Sequence, residues 1–189
     1  MQIARELSKL PPASYLQVSS KPWEGGVLNM DKVITRYREL LPATFEELDR
    51  DFAVGVYTRD GTYRVVDSGP LPEAVVASAA IPVVFEHVNV PGIGSCMDGG
   101  RHDRVGLRGW AARAAARRPG RPRKTLVHLI SRSSPFSGAE EVEADEAVLV
   151  CRSPKSGVSL ASLGAFDEHM QAAYERSAAQ LAELMALSA

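Results

Sequence analysis

The stretch from Phe52 to Gly100 constrains the fold most, because it contains a hairpin, a helix and a strand in a fixed order. The letters FAVGVYTR and TYRVVDSG are rich in β-branched and aromatic residues and flank the pair Asp60-Gly61. Such a pair between two β-rich runs predicts a hairpin. Pro72 then stands at a helix start, where proline is tolerated. The helix PEAVVASAA is expected to end before the next proline, and the letters VVFEHVNV predict a strand.

Helices and further strands are predicted on both sides of this stretch. Thr44 followed by Glu47 three residues later predicts a short capped turn. The letters KTLVHLIS and AVLVC predict continuous apolar strands of the kind buried in parallel sheets. Apolar residues at helical spacing predict helices over 2–10, 31–41, 107–118 and 166–187. Strands that alternate with helices in this way favour an α/β sandwich.

The composition bounds the class of protein. The 189 residues suit one domain or most of one, and a formal net charge of −1 steers no particular ligand. Cys96 and Cys151 are far apart without metal-ligand or redox spacing, which favours a reducing compartment and argues against structural zinc. The chain has neither an apolar run that could span a bilayer nor a secretory signal core, while contact with a membrane surface stays open.

The ordered motifs carry a resemblance to a known family. The segment SGPLPEAVVASAAIPVVFEHVNVPGIGSCMDGG resembles the C-terminal half of the patatin-like phospholipase domain, in which ASAAIP, a strand and DGG follow one another. The similarity covers roughly Leu28 to Leu184 and includes LLPATFEELDRDFAVGVYTRDGTYRVVDSG before it. It implies a patatin-like three-layer α/β/α sandwich, truncated at the N-terminus. Residues 1–27 would be an unassigned segment and residues 28–189 the C-terminal portion of the domain.

The resemblance also implies a chemistry. Patatin-like enzymes hydrolyse lipid acyl esters with a two-residue Ser-Asp dyad and no histidine relay. A serine on a Gly-X-Ser-X-Gly elbow attacks the ester, and the Asp of DGG acts as its general base. Carried onto this chain, the base is Asp98, and Gly99 and Gly100 let the backbone turn tightly beside it. The implied substrate is a lipid or another acyl ester, in lipid degradation, and the dyad requires no cofactor and no metal.

The nucleophile and the glycine-rich oxyanion loop of that family are missing from the pattern. None of the serines before Asp98 has glycines two positions before and two after it. Ser95 has the wrong spacing, Gly25-Gly26 lacks a third glycine and a basic residue, and GVSLA at 157–161 follows the Asp. The chain alone is therefore expected to be inactive. The alternative is a non-catalytic patatin-like remnant that binds lipid or a partner protein. Missing strands would expose a sheet edge and favour self-association.

Several other residues are of types found in catalytic or metal sites, but their spacing does not support such a role. His102 and Asp103 are interpreted as solvent-exposed loop residues, and Cys96 as a buried packing residue. His87, His128 and His169 are interpreted as core histidines with satisfied hydrogen bonds.

The stretch from Arg101 to Lys124 is strongly basic. It contains nine basic residues against Asp103, and three readings stay open. They are a solvated helix face, an attraction for anionic phospholipid head groups, and a minor-groove element at PGRPRK. Because that last motif lies between a helix and a strand, no nucleic-acid partner is expected. The expected location is the cytoplasm or a peripheral membrane surface.

Overall fold

The computed structural model describes residues 12–20, 22–117, 125–130, 148–153 and 165–187. Their helices are α1 Asp31–Leu40, α2 Leu71–Ala77, α3 Leu107–Arg117 and α4 Phe166–Leu187. Their strands are β1 Gln17–Val18, β2 Gly26–Asn29, β3 Val54–Thr58, β4 Tyr63–Val66, β5 Val83–Phe85, β6 Val88–Val90, β7 Gly94–Asp98, β8 Thr125–Ile130 and β9 Val148–Ser153. The mixed α/β class is confirmed. The helix predicted over 2–10 lies outside the described residues.

The chain divides into two compact units, Met1–Ala114 and Ala115–Ala189. The first unit contains a four-stranded antiparallel sheet in the order β4-β3-β7-β6 and a smaller sheet in the order β1-β2-β5. The second unit contains the parallel pair β8-β9 and helix α4. Asp98 and all the motifs of the predicted series therefore belong to the first unit.

The predicted hairpin is confirmed as β3 and β4. The two strands pair antiparallel from Val54 opposite Val66 to Tyr57 opposite Tyr63. Gly61 in the turn has a φ of 89°, a left-handed conformation that glycine adopts without steric cost. Strand β7 pairs with the other side of β3 and places Asp98 opposite Val56. The hairpin thus supplies the strand on which the end of β7 is aligned.

The single strand predicted for VVFEHVNV is wrong. Strand β5 pairs parallel with β2 in the small sheet, whereas β6 pairs antiparallel with β7 in the large sheet. Glu86 stands at the break. Its side chain accepts hydrogen bonds from Ser19 and Asn29, and its backbone N–H donates to the Leu28 carbonyl at 2.8 Å. These polar contacts hold the chain where it leaves one sheet for the other. The sequence pattern had indicated no strand at β2.

Helix α2 lies in the centre of the first unit. It begins one residue before Pro72, which occupies its first turn as predicted. Its residues Leu71, Ala74, Val76 and Ala77 are almost entirely buried, and the helix contacts β3, β6 and β7. The small side chains allow this close approach to the sheet. After the helix, Ala80 is also fully buried, directly before the Ile81-Pro82 step.

The second unit confirms the predicted strands and corrects their burial. Strands β8 and β9 are parallel from Thr125 opposite Val148 to Ile130 opposite Ser153. They are not buried along their length, since Leu126 is 50% exposed. Helix α4 contacts β9, where the Gln180 side chain accepts from the Arg152 N–H and donates to the Arg152 C=O at 2.8 Å each. Tyr174, one of the apolar residues whose spacing predicts a helix over 166–187, is 70% exposed.

Candidate active site

Asp98 ends strand β7 and is tied to the turn after helix α2. Its backbone N–H donates to the Ala80 carbonyl at 3.0 Å. Alternation along β7 places Asp98 and the buried Cys96 on the face opposite Ser95 and Met97. The two sequence motifs ASAAIP and DGG are therefore joined by a direct hydrogen bond, and the Asp98 side chain is left half-buried at the strand end.

The Asp98 carboxylate is oriented by the chain that follows it. Its Oδ1 accepts a hydrogen bond from the Gly100 N–H at 2.8 Å. Among the residues that the structure describes, its Oδ2 accepts none. One oxygen is thus held in place while the other is available as a proton acceptor. The bond to Gly100 caps the 3₁₀ turn at Gly99–Arg101, and the second oxygen could act as a base only toward a proton donor within hydrogen-bond reach.

The two glycines of DGG serve different purposes. A Cβ atom on Gly99 would lie 2.5 Å from the Gly55 carbonyl carbon of β3, so only glycine fits there without a backbone shift. A Cβ atom on Gly100 would meet only the Asp98 carboxylate, at 3.0 Å from Oδ1. Gly99 therefore allows the loop to contact β3, and Gly100 leaves room for the carboxylate.

The prediction that Asp103 is a solvent-exposed loop residue is wrong. It is half-buried, and its Oδ1 and Oδ2 accept hydrogen bonds from the Gly106 and Gly109 N–H groups at 2.8 and 3.0 Å. It thereby satisfies backbone donors at the start of α3, which would otherwise lack partners. The sequence carried no ordinary helix-start signal for this contact, because Asp103 stands four positions before Leu107 rather than immediately before the helix.

His102 is exposed, as predicted, and lies on an aromatic pair. Its ring stacks with Tyr63 at 5.2 Å and with Tyr57 at 6.2 Å between centroids. The Arg101 guanidinium lies 5.9 Å from the Tyr57 ring centre. Tyr57 and Tyr63 are paired across β3 and β4, and Tyr57 also pairs with Met97. The aromatic cluster is therefore on the opposite face of the sheet from Asp98.

Ionisation of Tyr63 is expected to lower the stability of the folded protein at alkaline pH. Burial raises its pKa to about 12, and the charge and hydrogen bonding of Asp103 act in the same direction. Because this folded-state pKa lies above the ordinary value of 10.0, the stabilisation is complete below pH 10 and is lost as the pH rises toward 12. Urea midpoints measured from pH 9 to 12 should fall less steeply for Tyr63→Phe than for the unaltered protein. Equal slopes would contradict this expectation; burial also raises the pKa of Tyr37, so only the difference between the two proteins is informative.

No described serine hydrogen-bonds to Asp98. The Ser19 hydroxyl donates to Glu86, the Ser78 hydroxyl donates to the Val75 carbonyl at 2.8 Å, and Ser95 lies on the other face of β7. The segment 157–161 lies outside the described residues. Cys96 is fully buried, as predicted, and burial raises the pKa of its thiol, which disfavours the nucleophilic thiolate. Within the described ranges, Asp98 has no nucleophile.

The Gly25-Gly26 pair is part of the sheet rather than a loop around a ligand. Gly26 belongs to β2, where a Cβ atom would lie 2.1 Å from the Phe85 carbonyl carbon of β5. Gly25 has a φ of 149° and packs against the His87 ring. The glycines therefore allow close packing of two chain segments, consistent with the missing signature of an oxyanion loop.

The three histidine predictions that can be tested need correction. Among the described residues His87 Nδ1 has no hydrogen-bond partner although it is buried, and burial lowers the pKa of the ring. His128 is exposed rather than in the core, because the parallel pair is covered incompletely, but its Nε2 lies 2.8 Å from the Ser153 hydroxyl. His169 is exposed on α4.

The described part of the basic stretch is only partly a solvated face. Arg101, Arg104, Arg108 and Arg117 are exposed. The Arg113 side chain is only 7% exposed and binds Asp51 and Asp67, with 2.7 Å from its Nε to Asp67 Oδ2. These carboxylates raise the guanidinium pKa, chiefly through the hydrogen bond to Asp51. Arg113 thus anchors α3 to the loops on either side of the β3-β4 hairpin.

The described ranges contain no group of three or more His, Cys, Asp or Glu side chains arranged to hold a metal ion. They also contain no helix with the length and hydropathy needed to cross a bilayer. No protein-family model matches the chain, and a search of curated proteins finds no similar sequence.

Proposed function

We propose that this chain carries the base half of a patatin-like lipid acyl hydrolase with a Ser-Asp dyad. The observation that carries the proposal is the Asp98 carboxylate, which has Oδ1 held by the Gly100 N–H and Oδ2 without a partner among the described residues. In the dyad, Oδ2 would accept the serine proton as the serine oxygen attacks the ester carbonyl, and the proton would pass to the leaving alcohol. The nucleophilic serine would come from polypeptide outside these 189 residues.

The local packing supports this reading of the motifs. The Asp98 backbone N–H donates to the Ala80 carbonyl and joins β7 to the turn after α2, and Gly99 holds the following loop against Gly55. An isolated Asp-Gly-Gly turn would need neither contact. The proposal includes the finer architecture, a patatin-like three-layer α/β/α sandwich completed by additional strands. Helix α2 contacts the sheet, and Gly109 of α3 packs against Tyr63 and Val65 of β4, as two outer layers would.

A fluorophosphonate probe tests where the nucleophile resides. The probe forms a covalent bond with an activated serine hydroxyl, and the 189-residue chain is expected to stay unlabelled because Asp98 has no described serine within hydrogen-bond reach. Intact-protein mass spectrometry would measure the labelled fraction. Catalytically inactivated trypsin and active trypsin provide the negative and positive controls. Stoichiometric labelling of the chain would contradict the proposal that the nucleophilic serine lies outside these 189 residues.

A test of Asp98 as a general base requires a polypeptide that also contains the nucleophilic serine. The coding sequence upstream of Met1, read in frame, should contain a Gly-X-Ser-X-Gly elbow, and the joined polypeptide should hydrolyse p-nitrophenyl esters. The Asp98→Asn variant should then lose about 10²–10⁴ in kcat, the usual contribution of a general base. Asparagine is nearly the same size and can accept the Gly100 hydrogen bond, so the fold should be retained. Full activity of Asp98→Asn would overturn the proposal.

A second candidate is a non-catalytic patatin-like remnant that binds lipid or a partner protein. The observation that favours it is the exposure of large apolar side chains in and beside the small sheet. These are Val18, Trp23, Val27 and Val83. Exposed apolar groups of this size often mark binding surfaces. Binding of the chain to phosphatidylcholine vesicles, combined with an upstream sequence that lacks a nucleophile elbow, would favour this candidate over the hydrolase.

A further inference from the structure

The loop between Asp98 and helix α3 is anchored at both ends. At the first end, Gly99 lies against the Gly55 backbone of β3. The Gly99 carbonyl accepts hydrogen bonds from the His102 and Asp103 N–H groups at 2.9 and 3.0 Å, which closes the 3₁₀ turn containing Gly100. The turn that orients the Asp98 carboxylate is therefore completed by the backbone of Asp103.

At the second end, the Asp103 side chain fixes the same loop to α3. Its two oxygens bind the Gly106 and Gly109 N–H groups separately, so the carboxylate bridges the loop and the first turn of the helix. Gly109 in turn packs tightly on Tyr63 and Val65, because a Cβ atom there would lie 2.5 Å from Val65 Cγ2. Both anchors thus rest on the β3-β4 hairpin, one on β3 and the other on β4.

We propose that Asp103 is a positioning residue for the Asp98 carboxylate. Its backbone closes the turn and its side chain prevents the turn from sliding relative to the sheet. Loss of the side chain would free the segment after Gly100 and weaken the hydrogen bond between the Gly100 N–H and Asp98 Oδ1. The catalytic consequence rests on the proposed function of Asp98, whereas the positioning itself does not. Asp98 would thus act as the base, whereas Asp103, five residues later, would hold the turn that orients it.

Amide hydrogen exchange of the 189-residue chain tests the positioning directly. In Asp103→Ala, the protection of the Gly100 amide should fall about tenfold, the equilibrium effect of losing roughly 1.4 kcal/mol of local hydrogen bonding. The Val56 amide, in the sheet, should report only the change in global stability. In Asp103→Asn, the single carbonyl oxygen can still accept one of the two bonds, so Gly100 protection should be intermediate.

Asp67→Ala is the matched control. It removes a carboxylate whose Oδ2 lies 2.7 Å from Arg113 Nε on α3, a contact made outside the loop that follows Asp98. If Asp103 acts only through general stability, both alanine variants would reduce Gly100 and Val56 protection in the same proportion, and the proposal is overturned. Unchanged Gly100 protection in Asp103→Ala also overturns it. A selective loss at Gly100 supports it. Because this measurement needs no catalysis, it stands apart from the test of Asp98 as a base.

Discussion

Replacing Gly99 by alanine is expected to lower the free energy of unfolding by about 3 kcal/mol, at the upper end for overpacking substitutions. The new Cβ atom would lie 2.5 Å from the Gly55 carbonyl carbon and 2.6 Å from its oxygen. Both are backbone atoms of a strand paired on both sides, so neither can move without disturbing the sheet. Urea denaturation followed by far-ultraviolet circular dichroism would measure the loss.

Gly100→Ala is the control for that prediction. Its Cβ atom would meet only the end of the Asp98 side chain, which can rotate away. The expected loss of stability is below about 1 kcal/mol, within the range of ordinary substitutions. The Gly100 amide should nevertheless lose protection from hydrogen exchange because the carboxylate is displaced. Equal destabilisation by the two alanines would contradict the separate roles inferred for the two glycines.

Removing Arg38 is expected to destabilise the first unit by about 2 kcal/mol. The Arg38 Nε and Nη2 atoms lie 2.9 and 2.5 Å from Glu73 Oε1. The Glu73 side chain, on α2, is only 9% exposed, and Arg38→Ala would leave its carboxylate without this cation. Breaking a fully buried ion pair costs about 3–5 kcal/mol. The loss expected here is smaller because the Arg38 side chain is 60% exposed, so water can hydrate the Glu73 carboxylate in part once Arg38 is removed.

A double-mutant cycle separates this ionic contact from lost packing. Glu73→Gln removes the charge while it keeps the size of the side chain. If the unpaired charge causes the loss, Arg38→Ala should be less harmful in the Glu73→Gln background, by at least about 1 kcal/mol. The Arg36→Ala variant serves as a comparison because Arg36 pairs with Glu39 in the same helix rather than with a buried carboxylate. That pair itself should contribute only about 0.5 kcal/mol. Additive effects of Arg38→Ala and Glu73→Gln would contradict the charge-based explanation.

The candidate site could be predicted only in part. Asp98 and its two glycines were identified because they follow a strand in a specific order of motifs, and the structure confirms the strand up to Asp98. The bond from Asp98 to Ala80 and the contact of Gly99 with Gly55 could not be predicted, because they join positions that are far apart in the chain. The burial of Arg113 was missed for the same reason, since Asp51 and Asp67 are distant in sequence. The membership of the chain in the patatin-like family stays a prediction.

Local sequence patterns were sufficient to predict the Asp60-Gly61 hairpin, the small-residue helix at Leu71–Ala77 and the strand that ends at Asp98. These follow from backbone preferences and side-chain spacing over a few residues, which act wherever the segment lies. The division of VVFEHVNV between two sheets and the contacts of Asp103 in the loop after Asp98 depend instead on the tertiary arrangement. Hydrogen bonding and close packing between distant segments control those choices, and neither leaves a regular period in the sequence.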